Sequence, residues 1–304
     1  MKDQEETPFR KARDDEFFHE IASPLIALRN GKEERVEGTL TVIGRGIGLT
    51  AQHVLAELLH RYDDVDDAGL DGTELSITFQ LLGLVRRNGG KDAFPLHIRR
   101  CWSFGPTDLA IVELIPDSAA DLTIPWSIPM MSLLPPRVGT RVAAFGFPNC
   151  SITRDSDQSR PMFNWSPTVS TGIVEWIDHS MRDKVMLPFP CYRTNARFDG
   201  GMSGGPVFDE RGCLCGIICS SYPHINGDDA HISYVSTLWP IVGARIPIGP
   251  NGSFHTIYEL FTAGVMRAID LQSVNFRIDE KGNYRSKAEY SEALWEERIP
   301  PRWA

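Results

Sequence analysis

The chain has 304 residues, 42% of them hydrophobic, which is enough to bury a sizeable core. Its formal charge is −9 and no long run of Lys and Arg occurs, which argues against nucleic acid as a main partner. Nowhere do about 18 consecutive apolar residues occur, and the start, Met1 to Pro8, carries no apolar leader, so the chain is expected to be cytoplasmic with no membrane partner.

Residues 9 to 21 place Phe9, Phe17, Phe18 and Ile21 among charged side chains, which predicts a short amphipathic helix in an N-terminal extension, 1–22. From Pro24 the pattern changes to short apolar strands broken by glycine and charged turns: Leu25 to Leu28, Gly38 to Ile43, Gly46 to Thr50, Leu75 to Leu84 and Leu109 to Ile115. A second series runs through Arg141 to Phe147, Val169 to Trp176, Lys184 to Leu187, Gly205 to Phe208, Leu214 to Cys219 and His231 to Val235. Between them, Ile115 to Pro136 contains five prolines, Pro116, Pro125, Pro129, Pro135 and Pro136, and reads as a linker. The fold is thus predicted to be all-β, with two barrels (23–116 and 137–245) joined by 116–136 into one domain, 23–245. In the C-terminal extension, 246–304, Ser253 is the predicted cap of a helix carrying Phe254, Ile257, Tyr258, Phe261, Val265 and Ile269 on one face. That extension either docks on the barrels or receives a regulatory protein partner.

Three motifs carry chemistry. Leu49-Thr50-Ala51-Gln52-His53-Val54-Leu55 puts a histidine at the end of a strand, and Thr107-Asp108-Leu109-Ala110 puts an aspartate at the start of one. Gly200-Gly201-Met202-Ser203-Gly204-Gly205-Pro206 leaves a serine hydroxyl on a sharp turn. A serine needs a base of near-neutral pKa to become a nucleophile, and the imidazole needs an acceptor to hold its tautomer. Together, in the order His, Asp, Ser, the motifs resemble the trypsin-like (chymotrypsin-fold) serine peptidases, bacterial in type and without a PDZ domain.

That resemblance implies two six-stranded antiparallel Greek-key barrels with a cleft between them. It implies a serine endopeptidase acting on protein or peptide through an acyl-enzyme, with His53, Asp108 and Ser203 as the triad and the N–H groups of Gly201 and Ser203 as the oxyanion hole. Position by position, it also implies a substrate pocket with Arg197 at its base, whose charge suggests a preference for acidic residues before the cleaved bond, and Ile218, Cys219, Ser220 and Ser221 along one neutral wall. Where animal relatives have an aspartate before the nucleophile this chain has Met202, so activation by an inserted new N-terminus is not expected. Its six cysteines lack metal-site spacing and read as free thiols.

Two other readings stay open. Gly201-Met202-Ser203-Gly204-Gly205 also satisfies the Gly-x-Ser-x-Gly elbow of α/β-hydrolase esterases, although Pro206 follows where that fold needs a helix. A peptidase fold retained as a latent, partner-regulated binding module is the second. No cofactor and no metal are expected; the acidic stretch Tyr62 to Asp71 fits no EF-hand register and reads as a solvated loop.

Overall fold

The computed structural model describes residues 8–29, 32–63, 73–74, 79–87, 92–104, 107–116, 126–153, 162–222, 231–248, 252–278 and 284–288. An N-terminal strand, β1 (Phe9–Lys11), is followed by a 3-10 turn, Phe17–Glu20, and by the strands of the first barrel: β2 (Ala22–Arg29), β3 (Lys32–Gly44), β4 (Ile47–Ala51), β5 (Thr73–Glu74), β6 (Phe79–Arg87), β7 (Asp92–Ser103) and β8 (Leu109–Pro116). Six of them form an antiparallel ring in the order β7-β6-β2-β3-β4-β8, closed by pairing of β7 with β8. Closure removes the unpaired edges that would template association. Inward-facing Leu25, Leu40, Leu55, Ile98 and Val112 fill the barrel.

The second barrel follows a short strand, β9 (Met130–Met131), in the proline-rich linker. It comprises β10 (Arg141–Gly146), a hairpin of β11 (Ser151–Thr153) and β12 (Met162–Asn164), β13 (Thr168–Asp178), β14 (Cys191–Thr194), β15 (Pro206–Asp209), β16 (Leu214–Tyr222) and β17 (Ile232–Ser236). Its ring runs β15-β10-β13-β14-β17-β16 and closes through β15 and β16, around Tyr192, Met202, Val207, Ile218 and Val235. The predicted pair of six-stranded barrels is therefore present.

Several elements differ from the sequence expectation. Residues 9–21 are not one helix: β1 pairs antiparallel with Thr168–Ser170 of β13, and only Phe17–Glu20 is helical. β13 bulges between Val174 and Trp176, and β14 pairs only with its second half, so the first half offers an open edge that β1 covers. Lys184–Leu187 is a turn rather than a strand, because one Asp183 carboxylate oxygen accepts the N–H groups of Val185, Met186 and Leu187. The strand expected there lies later, at β14.

The C-terminal extension begins with a hairpin of β18 (Arg245–Ile248) and β19 (Ser253–Thr256), so Ser253 starts a strand and caps nothing. The helix α2 (Ile257–Thr262) is short and is capped by Thr256, whose hydroxyl accepts the Glu259 N–H while the Glu259 carboxylate accepts the Thr256 N–H. β20 (Arg267–Ala268) then pairs with β9, and β21 (Val274–Ile278) pairs with β22 (Tyr284–Ala288). Ile257, Phe261, Met266 and Val274 enter a cluster with Phe145, Leu214 and Ile241, so this part of the extension is core.

Candidate active site

His53 does not end a strand, as the sequence suggested. The chain turns directly from β4 into the helix α1 (Gln52–Asp63), and His53 lies in its first turn. Val54, Leu55 and Leu58 anchor that helix on the first barrel. Asp108 sits just before β8; its carboxylate accepts the His53 backbone N–H at 3.0 Å and faces the ring Nδ1 at 3.0 and 2.8 Å through its two oxygens. With Nδ1–H donating to the carboxylate, Nε2 is left bare as a proton acceptor. Asp108 is 8% exposed, whereas the imidazole is about half exposed at 48%.

Partial enclosure pulls the His53 pKa down, but the Asp108 hydrogen bond and charge outweigh it and hold the imidazole above its ordinary 6.5. A base must be neutral to accept a proton. The ascending limb of the pH–rate profile for acylation is therefore expected to have its midpoint above pH 6.5, measured by initial rates on a peptide substrate; a midpoint below that value would contradict the coupling. For folding the sign is opposite: a raised pKa adds stability below the unfolded-state value of about 6.5 that is lost as pH rises through the folded-state value.

Ser203 comes from the second barrel, on the turn before β15, and threonines of the first barrel hold that turn in place. The Thr39 N–H donates to the Ser203 carbonyl at 2.8 Å, and the Thr39 and Thr41 hydroxyls donate to the carbonyls of Gly201 and Gly204, both at 2.9 Å. Gly204 has φ +87°, and a Cβ there would run into the Thr39 carbonyl and the Thr50 hydroxyl. Only glycine lets the two barrels approach this closely. Gly38, also on β3, is flanked by both halves of the site, since a Cβ added to it would meet Val54 Cγ1 at 2.8 Å and the Ser203 carbonyl at 3.0 Å.

Cys219 adjoins two of the three side chains, those of Ser203 and Asp108. Its carbonyl accepts the Ser203 hydroxyl at 3.3 Å, and its thiol, 4% exposed, lies within the electrostatic influence of the Asp108 carboxylate. Burial first, then that carboxylate, push the thiol pKa well above 9, so it stays protonated. The Ser203 hydroxyl thus rests on a backbone carbonyl and makes no hydrogen bond to His53; such bonds are often long or absent before substrate binds. Sequence reasoning assigned Cys219 to a pocket wall and missed its carbonyl as the acceptor of the Ser203 hydroxyl, and it missed Thr39 and Thr41 altogether.

Gly201 has φ +95° and its carbonyl is tied to Thr39. Among the described residues, the backbone N–H groups of Gly201 and Ser203 meet no protein acceptor, although Met202 N–H between them donates to the Asp199 carbonyl at 3.1 Å. Bare N–H groups beside a hydroxyl are the raw material of an oxyanion site. A Cβ at Gly201 would come within 2.8 Å of the Phe147 carbonyl as well as straining the backbone. Gly201→Val is accordingly expected to lose about 10² to 10³ in kcat, from the displaced donor. Melting temperature should fall too, from the Phe147 contact; both are read from steady-state kinetics and a thermal melt.

The remaining pocket residues divide. Ile218 is buried in the barrel core, and Ser221 accepts a hydrogen bond from Ser233 across β16 and β17 at 3.0 Å, with Ser220 beside it. Arg197 is 46% exposed, donates to both Asp199 carboxylate oxygens at 2.7 and 2.8 Å, and lies with its guanidinium 4.4 Å from the centre of the Phe9 ring. All six cysteines are free. No group of three or more His, Cys, Asp or Glu that could hold a metal ion, and no helix long and apolar enough to cross a membrane, occurs among the described residues. Most of the acidic stretch, from Asp64 to Asp71, lies outside them. Ser203 is followed by strand β15 and not by a helix, so the α/β-hydrolase setting is missing.

Residues 38–217, more than half of the chain and spanning His53, Asp108 and Ser203, match the trypsin-like peptidase domain. The chain belongs to the trypsin-like peptidase family. A family of peptidases implies a protein or peptide as substrate. Comparison of this trypsin-like chain with curated proteins finds no match. Among solved structures it is similar to Deg5, at 14% identity and a TM-score of 0.46, covering 70% of this chain and 83% of that one. It is also similar to the active form of the Rv3671c protease from M. tuberculosis (18%, TM-score 0.43, 72% and 77%) and to the MamO protease domain from Magnetospirillum magneticum (16%, TM-score 0.44, 73% and 93%). The family assignment rests on the sequence match and not on these distant likenesses.

Proposed function

We propose that this trypsin-like chain is a serine endopeptidase working through His53, Asp108 and Ser203. The observation that carries the proposal is the pairing of an Asp108-bound imidazole on one barrel with Ser203 on a turn of the other, a turn tied to the first barrel through Thr39 and carrying two backbone N–H groups without a protein acceptor. The mechanism requires the Ser203 hydroxyl to leave the Cys219 carbonyl and donate to Nε2. Its oxygen then attacks the peptide carbonyl carbon as His53 takes the proton. Asp108 stabilises the resulting imidazolium, and the N–H groups of Gly201 and Ser203 receive the oxyanion. His53 returns the proton to the departing amine, leaving an acyl-Ser203 ester that water hydrolyses with His53 again as base.

The half-buried, neutral Ser220 and Ser221, with Ile218 and Cys219 buried beside them, support a preference for neutral, medium-sized residues before the cleaved bond. Arg197, already engaged by Asp199, supports no acidic preference. Digestion of a mixed peptide library, with products read by mass spectrometry, tests both statements. The wild type is expected to cleave after neutral residues and Ser203→Ala to cleave nothing. Cleavage that survives Ser203→Ala would overturn the nucleophile. A folded, inert wild type would favour the latent binding module, a reading to which the resting position of the Ser203 hydroxyl on Cys219 also lends support.

A further inference from the structure

The N-terminal strand is linked to the nucleophile turn through a chain of specific contacts. Pro8 accepts the Thr171 N–H at 2.7 Å, Phe9 pairs with Ser170, and Ala12 N–H donates to the Pro167 carbonyl at 2.8 Å, so both ends of β1 are fixed to β13. Beyond β1, Glu16 accepts from the Arg10 guanidinium at 2.6 Å and the Arg13 N–H at 2.8 Å. Phe18 then stacks on Phe145, 5.1 Å between ring centres. β1 is thus held independently of the active-site turn.

From this fixed strand the Phe9 ring reaches the Arg197 guanidinium at 4.4 Å and packs against the cluster that contains Ala196, Phe198 and Met202. Arg197 grips the Asp199 carboxylate with two hydrogen bonds, and the Asp199 backbone closes the turn: its carbonyl accepts the Met202 N–H at 3.1 Å, and its own N–H points to the Met202 sulfur at 3.5 Å. Gly200 and Gly201 lie inside that closed turn. Two adjacent glycines have wide conformational freedom, and the direction of the Gly201 N–H depends on how the turn is held. An exposed Arg–Asp pair alone holds little, but a guanidinium clamped between a bidentate carboxylate and an aromatic face is fixed in place.

We infer that Phe9, acting through Arg197 and Asp199, is a positioning residue for the oxyanion turn, so that the N-terminal strand orders the site from outside the barrel. This inference rests on the endopeptidase reading for its effect on turnover, but not for the coupling itself. Arg197 is then a strut of the turn and not a contact for an acidic substrate residue.

The test compares full-length wild type, Phe9→Ala, Phe9→Leu and Phe9→Tyr by amide hydrogen exchange of the 196–205 segment and by steady-state kinetics on one peptide. Phe9→Ala and Phe9→Leu are expected to speed exchange of the Met202 amide while exchange in β6, β7 and β8 stays as in wild type. They are also expected to lower kcat about fivefold with KM unchanged, the scale set by one cation–π contact. Phe9→Tyr keeps the aromatic face and should restore both. Unchanged exchange at 196–205 in Phe9→Ala, or a loss that Phe9→Leu repairs as well as Phe9→Tyr does, would overturn the inference. If wild type proves inert on every peptide while Phe9→Ala still loosens the turn, the endopeptidase reading fails and the coupling stands.

Discussion

Asp108→Asn is expected to lower kcat by about 10⁴ while leaving the protein folded. The size follows from how Asp108 is bound. One carboxylate oxygen already accepts the His53 backbone N–H at 3.0 Å, and both oxygens face Nδ1. An amide at this position keeps its oxygen on the backbone N–H and turns its NH₂ group toward Nδ1. Nδ1 must then be the acceptor, the ring proton moves to Nε2, and the nitrogen that should take the Ser203 proton is already occupied. The loss should fall on kcat rather than KM, since Asp108 is bound to His53 and lies too deep to meet a substrate. Steady-state kinetics with a circular dichroism melt checks this; a loss below about tenfold would mean that His53 is oriented by something other than Asp108.

The second large effect concerns stability. Asp270 is fully buried, and its carboxylate accepts the backbone N–H groups of Leu133 and Leu134 at 2.8 and 3.1 Å and the Ser132 hydroxyl at 3.3 Å. The same Ser132 accepts from Arg211 at 3.2 Å, so one carboxylate ties the C-terminal extension to the linker and to the β15–β16 corner. Asp270→Ala leaves two buried N–H donors bare, each costing about 1–3 kcal/mol. At about 2–4 °C per kcal/mol, the melting temperature should drop on the order of 10 °C. Peptide cleavage at low temperature should survive, because Asp270 is remote from His53 and Ser203 in the contacts it makes. A change within 2 °C would show that the extension contributes little to the folded barrels.

How far the sequence could be read depended on whether a feature was local. The strands of both barrels and the three site motifs are local patterns, and most emerged close to where they were expected. Helix α1 was missed although Val54, Leu55 and Leu58 have helical spacing and Glu57 pairs with Arg61 four residues on, because the apolar run into His53 reads equally well as a continuing strand. Thr256 and Glu259 form a capping box visible in the sequence, but Ser253 after Gly252 offered a competing start. The segment around Phe9 has the composition of an amphipathic helix, and only the open half of β13 makes it a strand. Thr39 and Thr41 gave no sign of their role. Alternating polar residues on a strand ordinarily face solvent, and these face a turn more than 160 positions away in the chain.

The most direct measurement is covalent labelling of the purified full-length protein with a fluorophosphonate, followed by mapping of the modified peptide, for wild type, Ser203→Ala and His53→Ala. A single adduct on Ser203 is expected in wild type and none in either variant, since the probe reads an activated serine and the oxyanion site together. A folded wild type that takes no label, or an adduct on any other residue, would contradict the proposed triad.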